Sequence, residues 1–296
     1  MIRYAITLTE LKKRIEKARP GWLALAAKRT QHFTDVGDFD EPAAQSIWGD
    51  IKEVFMQLQH SKCAYCESRR ESEDYGTIEH DVEHFRPKSS VQKWKPPAGF
   101  ARPDLPFGTP EDSSLGYYLL PYQPLNYATS CKVCNTICKG DRFPTAAPRD
   151  LKLADPAKGA KEKPYLLYPI GSTDTNPEEL ITFNGVSPVA KKASGFDRDR
   201  ALVVIEFFKL GDPKRKSLFR RRAEVIATLF LLLEAAKNAA NPVDKQLYVK
   251  LLDGLTQDAA EHANCARSFV RLYQQRPADA REFFVLTQEY LGTMSP

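Results

Sequence analysis

Residues 63 to 89, CAYCESRRESEDYGTIEHDVEHFRPKS, concentrate groups able to do chemistry. A Cys63-x2-Cys66 knuckle is followed by two Glu-His pairs, Glu79-His80 and Glu83-His84, and then by Arg86-Pro87-Lys88. A second knuckle, Cys131-x2-Cys134, comes later, with Asn135 directly after it. Four thiolates satisfy a tetrahedral zinc ion, and each Cys-x2-Cys turn delivers two sulfurs to it. Cys63, Cys66, Cys131 and Cys134 are therefore the expected ligands of a structural Zn2+. Cys138 lies four residues beyond Cys134 and competes for the same face of a helix. Cys265 sits in a helical stretch as a core thiol.

Closing such a site brings the segment after the first knuckle against the segment around the second. His84 then lies near Asn126 and Asn135. Glu83 is a hard oxygen donor suited to Mg2+, as is an Asn side-chain carbonyl. His84 is a general base by residue type, and a second Asn can hold its imidazole in one orientation. A divalent ion beside a histidine suits phosphodiester hydrolysis. Arg86, Lys88 and Lys139 add positive charge for a phosphate. The rival pair Glu79-His80 shares the strand face but lacks the following Phe-Arg-Pro-Lys.

The elements that must position these groups follow from pattern. Thr7 with Glu10 three residues on starts a helix that Pro20-Gly21 ends. Ile47, Trp48, Ile51, Val54, Phe55 and Leu58 recur at helical spacing, which predicts a helix from Pro42 to His60 that leads into Cys63. Residues 76–85 alternate and read as a strand. A Pro- and Gly-rich loop follows, then a short strand near Tyr127–Ser130 and a short helix from the second knuckle to Gly140. Asn184-Gly185 marks a hairpin. The remainder is helical: 197–210, then from an Asp212 cap to about Ala240, then one opened by Asn241-Pro242, and a last one after Pro277. The fold class expected is α+β, mainly helical, with a small zinc-stabilised core. The expected division is 1–62 (N-terminal helices), 63–145 (core) and 146–296 (helical C-terminal region).

The motifs VEHFRPKS, LNYATSCKVCN and CKGDRFP resemble the HNH (ββα-metal) nuclease family. Within it, the pattern is similar to PtuB-type subunits of Septu-type and retron-linked antiphage systems. The resemblance covers about residues 63–144 and extends loosely downstream. It implies a ββα-metal core, His84 as general base, Glu83 and Asn135 as ligands of a catalytic Mg2+ or Mn2+, Asn126 as the residue orienting the base, and the four cysteines on zinc. It also implies nucleic acid, DNA or RNA, as substrate and a PtuA-type ATPase as partner in antiviral defence. Asn135 and Lys139 here bracket three residues, where the family has two.

Composition is compatible with this. With 42% hydrophobic and 27% charged residues, the chain can bury a core without disulfides. A formal net charge of +5 suits an anionic partner. The N-terminus turns charged too early for a signal peptide, and no apolar run is of membrane-spanning length, so the cytoplasm is the expected compartment. The competing reading is a zinc-stabilised nucleic-acid- or partner-binding module with a remnant HNH site. The densest basic run, residues 214–222, fits either a solvated helix face or a nucleic-acid contact.

Overall fold

The computed structural model describes residues 1–39, 46–69, 76–102, 104–106 and 111–293. The fold is mixed, about half helical, with two small antiparallel sheets. Helix α1 (Leu8–Ala18) starts as its sequence dictates, with the Thr7 hydroxyl accepting from the Glu10 amide at 3.1 Å. A second N-terminal helix, α2 (Trp22–Val36), was not expected. Its buried stripe is sparse, Trp22, Ala26 and Phe33, so no strong periodicity announces it.

The next helix is shorter than its pattern suggests. A 3₁₀ turn, Ile47–Ile51, precedes α3 (Lys52–Leu58), and Pro42 lies outside the described residues. The predicted strand at 76–85 is also corrected. Gly76–Glu79 form a helical turn, α4, and only His80–His84 form β1. β1 pairs antiparallel with β2 (Tyr127–Cys131), and the register runs from His80 opposite Cys131 to His84 opposite Tyr127. After β2 the chain enters a π-helix, Val133–Lys139, closed at Gly140 with φ +49°. The Gly140 amide reaches the Asn135 carbonyl at 2.6 Å, an i→i+5 bond.

The C-terminal part begins with a one-turn helix α5 (Pro177–Leu180) and the hairpin β3 (Ile181–Asn184)–β4 (Ser187–Ala190), with its turn at Gly185 as expected. Then come α6 (Gly195–Phe207), α7 (Lys216–Asn238), α8 (Pro242–Thr256), α9 (Ala263–Gln275) and α10 (Pro277–Thr293). Helix α7 starts later than the Asp212-Pro213 signal. Asp212 instead closes a tight turn, accepting from the amides of Lys214 at 2.9 Å and Arg215 at 2.9 Å. The segment opened by Asn241-Pro242 is split between α8 and α9, where His262 adopts φ +54°.

One contiguous core runs from Ile2 through the hairpin to Ala280. It contains buried charge that is paired. Arg86 donates from Nε to Glu162 Oε2 at 2.9 Å and from NH2 to the Gly159 carbonyl at 3.1 Å. Glu162 also accepts from Tyr117 Oη at 2.7 Å and the Asp150 amide at 2.8 Å. Removing one partner of a desolvated pair leaves the other uncompensated. Glu162→Ala is therefore expected to destabilise the fold by about 3–5 kcal/mol in urea denaturation, with an unchanged slope.

Candidate metal and catalytic site

The four knuckle cysteines meet. Their sulfurs all lie within 4.8 Å of one another, and Cys66 Sγ is 3.8 Å from Cys131 Sγ. This cluster can hold one tetrahedral ion, and an all-sulfur donor set fits zinc. Cys138 is not part of it; it is buried separately, 7% exposed. Two contacts tie the cluster to the C-terminal helices. Tyr65, inside the first knuckle, stacks on Phe208 with ring centroids 4.0 Å apart. Arg215 donates to Cys134 Sγ at 3.6 Å and to the Phe208 carbonyl at 2.8 Å. Burial works against the Arg215 charge, but the neighbouring Cys66 and Cys134 sulfurs outweigh it and hold the guanidinium protonated.

The hairpin and π-helix bring His84, Glu83, Lys88, Asn135 and Lys139 around one cleft of about 220 Å³. The His84 ring is wedged edge-on between Trp48 at 4.8 Å and Tyr127 at 5.2 Å. Its Nε2 lies 3.1 Å from the Pro121 carbonyl, which also accepts from Tyr127 Oη. A carbonyl only accepts, so Nε2 carries the hydrogen and Nδ1 keeps the lone pair. Burial, together with the Lys88 and Lys139 charges, pushes the imidazole down to about 3, so it is neutral at physiological pH.

Asn126 is placed differently from expectation. It is fully buried, yet its side chain accepts from the Arg86 amide at 2.8 Å and donates to the carbonyls of Arg86 at 3.0 Å and Leu120 at 3.2 Å. Its own carbonyl accepts from the Phe85 amide at 2.8 Å. Asn126 thus clamps the backbone that follows His84, and the imidazole itself is oriented by Pro121. Arg86 is a correction too. Its guanidinium is spent on Glu162 and is 4% exposed, so it does not face the cleft.

Lys139 is buried and forms an ion pair with Glu83 Oε1 at 2.5 Å, while donating to the His84 carbonyl at 2.9 Å. The π-helix accounts for this. Its wide turn carries both Asn135 and Lys139 to the cleft. Burial pushes the Glu83 carboxyl up to about 7, against the pull of Lys139. Asn135 donates from Nδ2 to Asp81 Oδ2 at 3.3 Å, which leaves its Oδ1 as a ligand atom. Lys88 Nζ sits 4.8 Å from the Phe39 ring centroid and 5.5 Å from that of Trp48. Its backbone is held by Gly116, where a Cβ would come within 2.4 Å of the Lys88 carbonyl carbon.

Pattern reading missed Asp81, Asp141, Trp48 and Pro121. Asp81 carried a signal, since residues two apart on a strand share a face with Glu83. The Pro121 carbonyl is a backbone group and carries none. Asp141 lines the same cleft as Glu83 and Asn135, whereas Asp81 is paired with Lys132 at 2.7 Å.

The remaining candidates fall outside the site. His80 is buried beside the cysteine cluster, with Cys131 in the wall of the same 580 Å³ cleft. Trp94 packs edge-on to Phe100 at 5.8 Å and against Phe207 at 5.5 Å, anchoring its loop. The basic run at 214–222 does not form one face. Arg222 is buried on the carbonyls of Val186 at 3.1 Å and Leu210 at 2.7 Å, whereas Arg220 and Arg221 pair with Glu224.

The chain is similar to the Septu protein PtuB of Bacillus mycoides (strain KBAB4), with 26% identity over 205 residues. The match covers 69% of this chain and 60% of the length of that relative. No family model matches the chain, and no solved structure matches it. Among the described residues, no helix is long and apolar enough to cross a membrane.

Two outcomes are expected. Asn126→Ala removes three buried hydrogen bonds and lowers stability by about 2–4 kcal/mol, measured by chemical denaturation. Arg215→Met, in the zinc-loaded chain, speeds zinc loss to a chromogenic chelator by about tenfold, because it removes the N–H donor to Cys134.

Proposed function

We propose that the chain is a metal-dependent HNH endonuclease that hydrolyses phosphodiester bonds in DNA or RNA. In this reading it is the nuclease component of a Septu-type antiphage system and works with a PtuA-type ATPase. The single observation that carries it is His84: a neutral imidazole, its Nε2 pinned by a backbone carbonyl, in a cleft with oxygen donors Glu83 and Asn135. The similarity to a Septu protein supports the biological setting.

His84 Nδ1 accepts a proton from the attacking water. Its ring cannot rotate away, because Trp48, Tyr127 and Pro121 fix three sides. Asn126 holds the next two residues and so fixes where the ring starts. Glu83 and Asn135 would hold the Mg2+ or Mn2+, which supplies charge stabilisation to the phosphate and the leaving oxygen. Lys88, and Lys139 beyond its pair with Glu83, bias the cleft towards anions. The four cysteines would hold the structural Zn2+.

The Glu83–Lys139 ion pair favours a second reading, because a buried ammonium already neutralises the candidate ligand. There the chain is a zinc-stabilised nucleic-acid- or partner-binding module. Cleavage of plasmid DNA and total tRNA, with Mg2+ or Mn2+ against chelator and with and without the ATPase, separates the two. The expected result is metal-dependent product that His84→Ala reduces by at least about a hundredfold, with the fold and zinc content retained. Undiminished cleavage by His84→Ala, or binding without cleavage under every condition including added ATPase, overturns the nuclease reading.

A further inference from the structure

Two carboxylates line the His84 cleft, Glu83 and Asp141, and they are not in the same state. Glu83 is 3% exposed and pairs with the buried Lys139 ammonium at 2.5 Å. A third carboxylate, Asp81, is engaged through both oxygens, accepting from Lys132 Nζ at 2.7 Å and from Asn135 Nδ2 at 3.3 Å. Asp141 is different. Among the described residues its carboxylate pairs with no cation and accepts one hydrogen bond, from Ser90 Oγ to Oδ2 at 3.2 Å. Oδ1 is left without a donor. None of the chemistry proposed above uses it.

The backbone fixes Asp141 in place. Gly140 ends the π-helix at φ +49° and ψ −132°, in the left-handed half of backbone space that favours glycine, and so turns the chain at the cleft. The Asp141 carbonyl accepts from the Gln92 amide at 2.9 Å, and the Arg142 amide donates to the Lys139 carbonyl at 3.0 Å. Ser90 then sets the direction of the carboxylate from the segment that follows Lys88. A carboxylate that ligates a metal is held by a hydrogen bond of this kind, which orients it before the ion arrives.

Charge balance gives this carboxylate a role. Glu83 and the neutral Asn135 bring one negative charge between them, and the Lys139 ammonium cancels it. Lys88 adds a further positive charge to the lining. Without Asp141 the cleft is therefore cationic, which disfavours a divalent ion. Burial is the main cause that pushes the Glu83 carboxyl up to about 7, and repulsion from Asp141 adds to it, so the two carboxylates feel each other. Glu83 Oε1 is buried and receives no hydrogen bond, even from the ammonium beside it. We infer that Asp141 is a further ligand of the divalent cation assigned to Glu83 and Asn135. Its Oδ1 supplies the carboxylate charge that the Glu83–Lys139 pair withdraws from the site. The inference rests on the metal-dependent reading of this cleft and adds a residue to it.

The test reads metal binding apart from cleavage. The zinc-loaded full chain is titrated with Mn2+, and free Mn2+ is followed by electron paramagnetic resonance. Asp141→Asn keeps the shape of the side chain and an acceptor for Ser90 while removing the charge. The expected result is one Mn2+ bound by the wild type, with affinity at least about tenfold weaker in Asp141→Asn and lost in Glu83→Gln. The melting temperature of metal-free Asp141→Asn is unchanged. The weakening persists in 1 M KCl, where the screening length is about 3 Å and a charge that does not touch the ion no longer acts on it. Unchanged Mn2+ affinity in Asp141→Asn, a weakening that vanishes in 1 M KCl, binding that survives Glu83→Gln, or no binding by the wild type overturns the assignment. Mn2+ binding with the expected losses but no cleavage under any condition overturns the nuclease reading alone and upholds Asp141 as a ligand.

Discussion

The meeting of four cysteine sulfurs is the constraint from which the rest follows. Two knuckles far apart in sequence are brought to one point, and Cys131 is both a member of the cluster and the residue opposite His80 in the hairpin. The cluster thus anchors one end of the β1–β2 register, and a strand anchored at one end cannot slip by a residue without reversing every side chain. His84 and Tyr127, at the other end, inherit their pairing from it. So does the π-helix, which starts within the second knuckle and carries Asn135 and Lys139.

The hairpin is too small to be stable alone. It is held by what packs on it. Trp22 and Phe55 meet Tyr127 edge-on from the N-terminal elements. Tyr168 reaches back to the Tyr127 carbonyl at 2.8 Å from the C-terminal side. Phe208 and Arg215 secure the knuckles. Several buried ions are paired, Arg86 with Glu162, Lys139 with Glu83 and Arg200 with Asp174, and each pair joins segments distant in sequence. Such pairs add little net stability but are expensive to break, so they specify how the pieces fit.

The parts legible in the sequence are those with local physical causes. The knuckles, the Thr7 and Asn241 caps, the Asn184-Gly185 turn and the short strand at Tyr127 all depend on residues close to one another in the chain. The assembly of Glu83, His84 and Asn135 was legible because the two knuckles state which segments must meet. What was not legible depends on backbone groups or on burial. Nothing in the residue types says that Pro121, rather than Asn126, orients the imidazole. Arg86 looked like a phosphate contact until Glu162, far downstream, supplied its partner. The basic run at 214–222 looked uniform, yet helical geometry turned Arg222 inward and Arg220 outward. Helix α2 was missed because three buried residues in fifteen leave too faint a period.

The π-helix carries a consequence for how such a chain can change. An added residue in an α-helix would rotate everything beyond it by about 100° and would swing Lys139 away from Glu83. Here the segment is wound as one broad turn, and Ile137 within it is left 69% exposed. The wider winding of these seven residues thus turns Asn135 and Lys139 towards one cleft and leaves an apolar side chain, Ile137, on the surface.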